Sequence, residues 1–73
     1  MYKSKLRYLM ADKKIDSIKN LAELTGVSRP PLDKLYKEKD LETLSLDVLA
    51  RVCKYFNCKI EDLIEYIQDN TQD

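Results

Sequence analysis

Apolar residues recur along this chain at intervals of three and four, the spacing that places side chains on one face of an α-helix. This period appears in five stretches, which predict helices over about residues 3–13, 18–24, 30–37, 46–56 and 60–67. Charged residues fall mostly on the opposite faces of these stretches. With one Gly and two Pro in 73 residues, the chain offers few turns for a sheet. The pattern therefore predicts an all-α domain of five short helices.

Capping residues mark several of the predicted helix ends. A serine precedes the second, third and fourth helices, and serine side chains accept hydrogen bonds from the free amides of a first turn. These serines are Ser17, Ser28 and Ser45. Gly26 and Asn57 follow the second and fourth helices, where the backbone commonly needs a positive φ. In the connection between the third and fourth helices, Leu41 and Leu44 are expected to reach the core.

Two prolines stand at the start of the third helix. Pro30 and Pro31 are tolerated there because the amides of a first helical turn have no partner within the helix. A residue that precedes proline is disfavoured in the α conformation, so we expect Arg29 to be extended and the helix to begin at Pro30.

Residues 18–37 predict a helix-turn-helix. Ala22 is small enough for two helices to approach closely, and Gly26 suits the turn between them. Apolar residues on the inner sides of the two helices would hold the pair together. They are Leu21, Val27, Leu32 and Leu35.

The runs LAELTGVS (residues 21–28) and LSLDVLARVCKYFNCKIEDLI (residues 44–64) resemble the Cro/phage-repressor (XRE-like) helix-turn-helix regulators of bacteria and phages. The resemblance covers about residues 4–67. It implies a compact five-helix, lambda-repressor-like DNA-binding domain over residues 1–67. Residues 68–73 have nothing to bury and are expected to form a frayed tail. The resemblance also implies a sequence-specific transcription regulator, acting as a repressor, whose third helix (about residues 29–37) enters the major groove.

Carried onto this chain, the resemblance implies two sets of DNA contacts. The base-reading candidates are Ser28, Arg29, Pro30 and Lys34, and the phosphate candidates are Ser17, Lys19, Lys37, Lys39 and Thr43. Arginine can bond both guanine acceptors in the major groove, and the ring of Pro30 could contact a thymine methyl. The alternatives remain a solvated helix face for the charged residues and Thr43, and a purely structural helix start for the prolines.

Charge is divided between the two halves of the chain, although the net charge is zero. Residues 1–37 hold nine basic and four acidic residues, and residues 38–73 hold four basic and nine acidic residues. A basic half can still bind DNA phosphates while the acidic half faces away. The zero total also leaves open a protein-interaction module on the same fold, such as an antitoxin or an anti-repressor component.

The sequence gives little support for catalysis or metal binding. Cys53 and Cys58 are the only cysteines and the chain has no His, so a structural zinc site cannot be completed. We interpret them as reduced thiols of a cytoplasmic protein; a disulfide or a redox switch is the alternative. No Gly-rich phosphate loop or activating base is present, and no apolar run approaches the length of a membrane span. The sequence predicts no enzyme, cofactor or metal.

Apolar residues outside the helix-turn-helix suggest how two copies would associate. One reading helix contacts only a few base pairs, so a homodimer on two half-sites is expected. Ile64, Tyr66 and Ile67 predict the fifth helix as the dimer surface. The tyrosines are too scattered for a base-stacking platform and are expected to pack in the core. They are Tyr2, Tyr8, Tyr36, Tyr55 and Tyr66.

Overall fold

The computed structural model describes residues 1–68 and confirms a small helical fold with five helices. The tail predicted at 68–73 lies outside these residues, except for Gln68. In chain order the elements are β1 (Tyr2–Ser4), α1 (Leu6–Asp12), α2 (Ile18–Thr25), α3 (Arg29–Lys37), a 3₁₀ turn (Leu41–Thr43), α4 (Leu46–Phe56), α5 (Ile60–Leu63) and β2 (Ile64–Tyr66).

The core is apolar, and every helix contributes to it. Its buried members are Leu6, Met10, Ile15, Leu21, Val27, Leu32, Leu35, Leu41, Leu49, Val52, Cys53, Phe56 and Leu63. Within residues 1–68 no polar or charged residue is buried. Burying one such large apolar side chain stabilises the fold by about 1.5–3 kcal/mol relative to leaving it exposed. Leu41 is buried and Leu44 half-buried, as expected for the connection after α3.

The first helix begins later than its apolar period predicts. Residues 2–4 form β1, and the prediction of a helix from residue 3 is therefore wrong. The Ser4 hydroxyl accepts a hydrogen bond from the Leu6 amide at 3.2 Å, which makes Ser4 the boundary between strand and helix. Tyrosine and isoleucine side chains suit a pleated surface; β1 contains Tyr2, and β2 contains Ile64 and Tyr66.

The last helix is a single turn, so the prediction of a helix over residues 60–67 is also wrong. Ile64 has φ −136° and ψ 142°, which are strand values, and β2 follows at once. Leu63 is fully buried and Ile64 packs against the core, so both apolar side chains are accommodated without a second helical turn. The Lys59 amide donates to the Asp62 carboxylate at 3.0 Å and fixes the start of the turn.

The two strands join the ends of the described chain in an antiparallel pair. Tyr2 lies opposite Tyr66 and Ser4 lies opposite Ile64. The Ile67 amide donates to the Met1 carbonyl at 2.7 Å, and the Lys5 amide donates to the Leu63 carbonyl at 2.7 Å. Antiparallel hydrogen bonds occur at alternate residues. The backbone groups of Tyr2 and Tyr66 consequently point away from the partner strand.

Candidate nucleic-acid interface

The start of α2 presents free backbone amides. The Ser17 hydroxyl caps the helix as predicted, accepting from the Asn20 amide at 3.1 Å. The Ser17 carbonyl accepts from the Leu21 amide at 3.1 Å. The first two amides of the helix, from Ile18 and Lys19, have no partner within the helix and carry the positive end of its dipole. Ser17 keeps its hydroxyl proton for an external acceptor.

The turn between α2 and α3 is held by a threonine whose role the sequence did not indicate. The Thr25 hydroxyl donates to the Leu21 carbonyl at 2.8 Å and accepts from the Val27 amide at 3.2 Å. Gly26 has φ 74° and donates its amide to the Ala22 carbonyl. A Cβ built at Gly26 meets no atom within 4 Å. Glycine is therefore required by backbone conformation rather than by space.

The start of α3 leaves a serine hydroxyl unused. Ser17 and Ser45 each accept a hydrogen bond from the amide three residues later. The residue three places after Ser28 is Pro31, and proline has no amide proton. Ser28 has the extended backbone of an N-cap but makes no capping hydrogen bond. Arg29 is the first helical residue, so the prediction that it would be extended is wrong.

The end of α3 is connected to the 3₁₀ turn through side chains. The Lys34 ammonium donates to the Thr43 hydroxyl oxygen at 2.7 Å. The same Thr43 hydroxyl donates its proton to the Asp40 carbonyl at 2.7 Å. Between them the chain passes through Glu38 and Asp40, both in the left-handed region at φ 56° and 55°. This chain of hydrogen bonds fixes the Lys34 side chain against the connection that follows the helix.

The remaining predicted DNA contacts lie on the surface. Lys34 is half-buried, whereas Ser17, Lys19, Ser28, Arg29, Pro30, Lys37, Lys39 and Thr43 are exposed. Two ion pairs occur among residues 1–68, Lys5–Glu65 at 3.8 Å and Arg51–Asp47 at 3.0 Å. Neither involves a predicted contact. The structure brings Lys34 and Thr43 together and leaves the other cations without an acidic partner among the described residues.

A cation–π contact that the sequence did not indicate holds α1 against α3. The Arg7 guanidinium carbon lies 4.6 Å from the centre of the Tyr36 ring, and Arg7 Nε donates to the Tyr36 carbonyl at 3.0 Å. This joins α1 to the last turn of α3. The expectation that the tyrosines fill the core is wrong for four of the five. Tyr2, Tyr8, Tyr36 and Tyr66 are exposed, and Tyr55 is half-buried.

The two cysteines, Cys53 in α4 and Cys58 just after it, form no disulfide in the structure. Burial, together with the neighbouring Cys58 and Asp62, raises the pKa of Cys53 to about 12. The Cys53 thiol also faces the Lys59 carbonyl at 3.5 Å. Cys53 thus remains protonated at neutral pH and behaves as an apolar core residue.

Residues 1–68 contain no group of three or more His, Cys, Asp or Glu side chains placed to hold a metal ion. In the same part of the chain, no helix has the length and apolar character needed to cross a membrane.

A family model described as Cro/C1-type HTH DNA-binding domain matches residues 5–69. No curated protein matches the chain. The matched range includes the capped turn of α2, the whole of α3 and the connection that holds Lys34.

Proposed function

The chain belongs to the Cro/C1-type helix-turn-helix DNA-binding family, and from that premise we propose that it is a transcription regulator that reads duplex DNA with the first turn of α3. Helices of this kind contact base edges in the major groove with their N-terminal residues. The opposite face of α3 is anchored by Leu32 and Leu35, both fully buried. Such anchoring fixes the orientation of the exposed residues.

The observation that carries the proposal is the unused polar chemistry of Ser28 and Arg29. Both residues are exposed, and the Ser28 hydroxyl makes no capping bond. Arg29 has five N–H donors, and none is engaged by a side chain or carbonyl among residues 1–68. A guanidinium placed there can bond O6 and N7 of guanine together. Pro30 adds an exposed apolar ring beside them, suited to a thymine methyl.

Contacts to the DNA backbone would set the register of the reading helix. At the start of α2, the Ser17 hydroxyl proton and the amides of Ile18 and Lys19 suit a phosphate oxygen. The side chains of Lys19, Lys37 and Lys39 supply further positive charge. Such contacts hold the protein on DNA of any sequence and make its affinity dependent on salt.

Two copies are expected on each operator, and the structure changes the surface we assign to the dimer. The helix predicted for this role ends at Leu63. In its place β2 offers an outer edge, to which Tyr66 directs its N–H and C=O groups. We propose that Tyr66 pairs with Tyr66 of a second copy in an antiparallel ladder, which places Glu65 beside an apolar Ile67 rather than beside a second Glu65.

Repression is the mode of regulation we propose. A regulator that covers a promoter needs only DNA binding to exclude another protein from the same site. Such a protein acts where the chromosome or phage DNA lies, so we place it in the cytoplasm.

Selection of binding sites from random duplex DNA tests the proposed function. Wild type is expected to enrich a short palindrome. Arg29→Ala should lose preference at one base pair per half-site, which corresponds to about 1–3 kcal/mol of discrimination. Lys37→Ala is the matched control at the other end of α3, and it should weaken binding to all sequences alike. Failure of the wild type to enrich any sequence would contradict sequence-specific readout.

Two observations favour a second function. The net charge is zero, and the prolines remove two amide donors from the start of α3. Both features weaken DNA binding relative to a strongly basic domain, as expected of a protein-interaction module. Salt distinguishes the two functions, because affinity for DNA falls steeply as salt is added whereas affinity for an apolar protein surface does not.

A further inference from the structure

Lys34 lies on α3 but is directed away from the turn that would read bases. Its ammonium is 2.7 Å from the hydroxyl oxygen of Thr43, a residue of the 3₁₀ turn that follows the helix. We propose that Lys34 is a phosphate contact and that Thr43 is the positioning residue that holds it, without itself contacting DNA. This inference rests on the proposed function and assigns these two residues different roles within it.

The number of unused hydrogen-bond donors on Lys34 and Thr43 determines which bonds each residue can make to DNA. A threonine hydroxyl has one proton, and here it is donated to the Asp40 carbonyl. Thr43 can then only accept, and a phosphate oxygen is itself an acceptor. Lys34 has three N–H donors and gives one to Thr43, which leaves two for an external oxygen. The pair therefore presents one oriented cation rather than two separate ligands.

The position of the pair favours phosphate over base edges. Base contacts in helix-turn-helix docking come from the N-terminal part of the reading helix. Thr43 lies beyond the opposite end of α3 and follows Asp40, which begins the 3₁₀ turn in the left-handed region. Holding Lys34 on Thr43 draws its ammonium toward this connection. Because the side chain is bonded to Thr43 and half-buried before DNA arrives, we expect binding to cost less rotamer entropy than for a free lysine.

A double-mutant cycle with Lys34→Met and Thr43→Val measures this arrangement. Lys34→Met should lower affinity for the selected site and for random duplex by the same factor. It should also reduce the dependence of log Kobs on log salt by about 0.9 per subunit. Thr43→Val should weaken binding by a smaller factor in wild type and have no further effect on DNA binding in the Lys34→Met background. Thr43→Ser keeps the hydroxyl and should bind as wild type does.

Lys37→Met provides the matched control, since Lys37 lies on the same helix and is exposed. Its effect should add to that of Thr43→Val without coupling. Thermal unfolding of each variant reports whether it is folded. If Thr43→Val does not fold, methylphosphonate substitution of single DNA phosphates replaces it. One neutralised phosphate should then weaken wild type and leave Lys34→Met unchanged.

Three results overturn the inference. The first is loss of preference at one base pair in Lys34→Met, which would make Lys34 a base reader. The second is an additive effect of Thr43→Val and Lys34→Met on DNA affinity. The third is the absence of any phosphate whose neutralisation affects wild type and spares Lys34→Met. Failure of the proposed function is distinct from all three, because wild type itself would then show no salt-dependent binding to duplex DNA.

Discussion

At the scale of single residues, Pro31 determines what α3 offers to a ligand. The other two serine caps of the helix-turn-helix and α4 are satisfied by the amide of the third helical residue, Asn20 or Val48. Pro31 occupies that place after Ser28 and has no amide proton to give. The helix loses a capping bond worth about 1 kcal/mol, and the surface gains a hydroxyl free to donate and accept.

Pro31→Ala should restore the missing donor. We expect the Ser28 hydroxyl to bond the new amide, which would reduce base preference at the position that Ser28 contacts. Stability should change little, because the restored cap is offset by about 0.4–1 kcal/mol from the added freedom of the unfolded chain. Pro30→Ala is the matched control, since it adds an amide one residue before the preferred position. Binding-site selection and thermal unfolding measure both effects, and an unchanged base preference in Pro31→Ala would contradict the expectation.

At the scale of elements, the two strands tie α1 and α5 together. The Lys3 and Glu65 pair lies between two hydrogen-bonded pairs in the alternating ladder, so Lys3 should exchange hydrogen bonds with Glu65. The amide of Tyr2 instead points outward. On the other edge of β1, the Ser4 amide donates to the Glu38 carboxylate at 3.1 Å, which links the sheet to the end of α3. The ladder therefore supports the end of α3 from a distance.

Proline substitutions distinguish the amide of β1 that donates to β2 from the amide that points outward. Lys3→Pro should lower the free energy of unfolding by about 1–3 kcal/mol relative to Lys3→Ala, because it removes a ladder donor and leaves an acceptor unpaired. Tyr2→Pro compared with Tyr2→Ala should show a much smaller difference. Chemical denaturation of the four variants gives both values. Equal differences at the two positions would mean that the register of the ladder is not the one described.

The elements also show where the local sequence is sufficient to predict secondary structure. The bounds of α2 and α4 follow from nearby residues, namely an N-cap serine, an apolar face and a final residue able to adopt positive φ. The strands depend on each other across more than sixty residues, and no local pattern contains that information. At the junction of α5 and β2, Leu63 and Ile64 fit a helical period equally well. Only the pairing with β1 makes the strand preferable.

The candidate interface likewise contains some features that the local sequence predicts and others that it does not. Exposure of Ser28, Arg29 and Pro30 could be predicted, because it follows from the inward positions of the leucines on α3. The capture of Lys34 by Thr43 could not, since it depends on the left-handed backbone at Asp40 and on the path of the 3₁₀ turn. The free hydroxyl of Ser28 could in principle be predicted from the sequence, because it requires only that Pro31 has no amide proton.

At the scale of the whole molecule, opposite charges are separated along the chain. Seven of the nine predicted DNA contacts lie in residues 1–37, which have an excess of lysine and arginine, and most acidic residues follow α3. Glu61, Asp62 and Glu65 are exposed near the edge to which we assign the dimer. We expect this distribution to favour approach of the α2 and α3 surface to DNA, although the net charge gives no general attraction.

The proposed dimer gives a prediction for the assembled molecule. Tyr66→Pro removes the outward amide of β2 and should leave a folded monomer whose affinity for a full operator falls to that for one half-site. Tyr66→Ala removes the ring but keeps the amide, and it should still associate. Sedimentation with and without DNA measures the stoichiometry. A wild-type protein that is monomeric at high concentration and on its operator would contradict the proposed dimer.

The pairing of β1 with β2 has a consequence for protein engineering. The Met1 ammonium lies 3.2 Å from the Ile67 carbonyl, so the two ends of the described chain meet at one point. A peptide linker from Ile67 to Met1 could close the backbone into a ring without disturbing the ladder, and cyclisation would restrict the unfolded chain. Fluorophores attached beside Met1 and Ile67 would lie close together. Energy transfer between two such fluorophores would then report directly on separation of the strands.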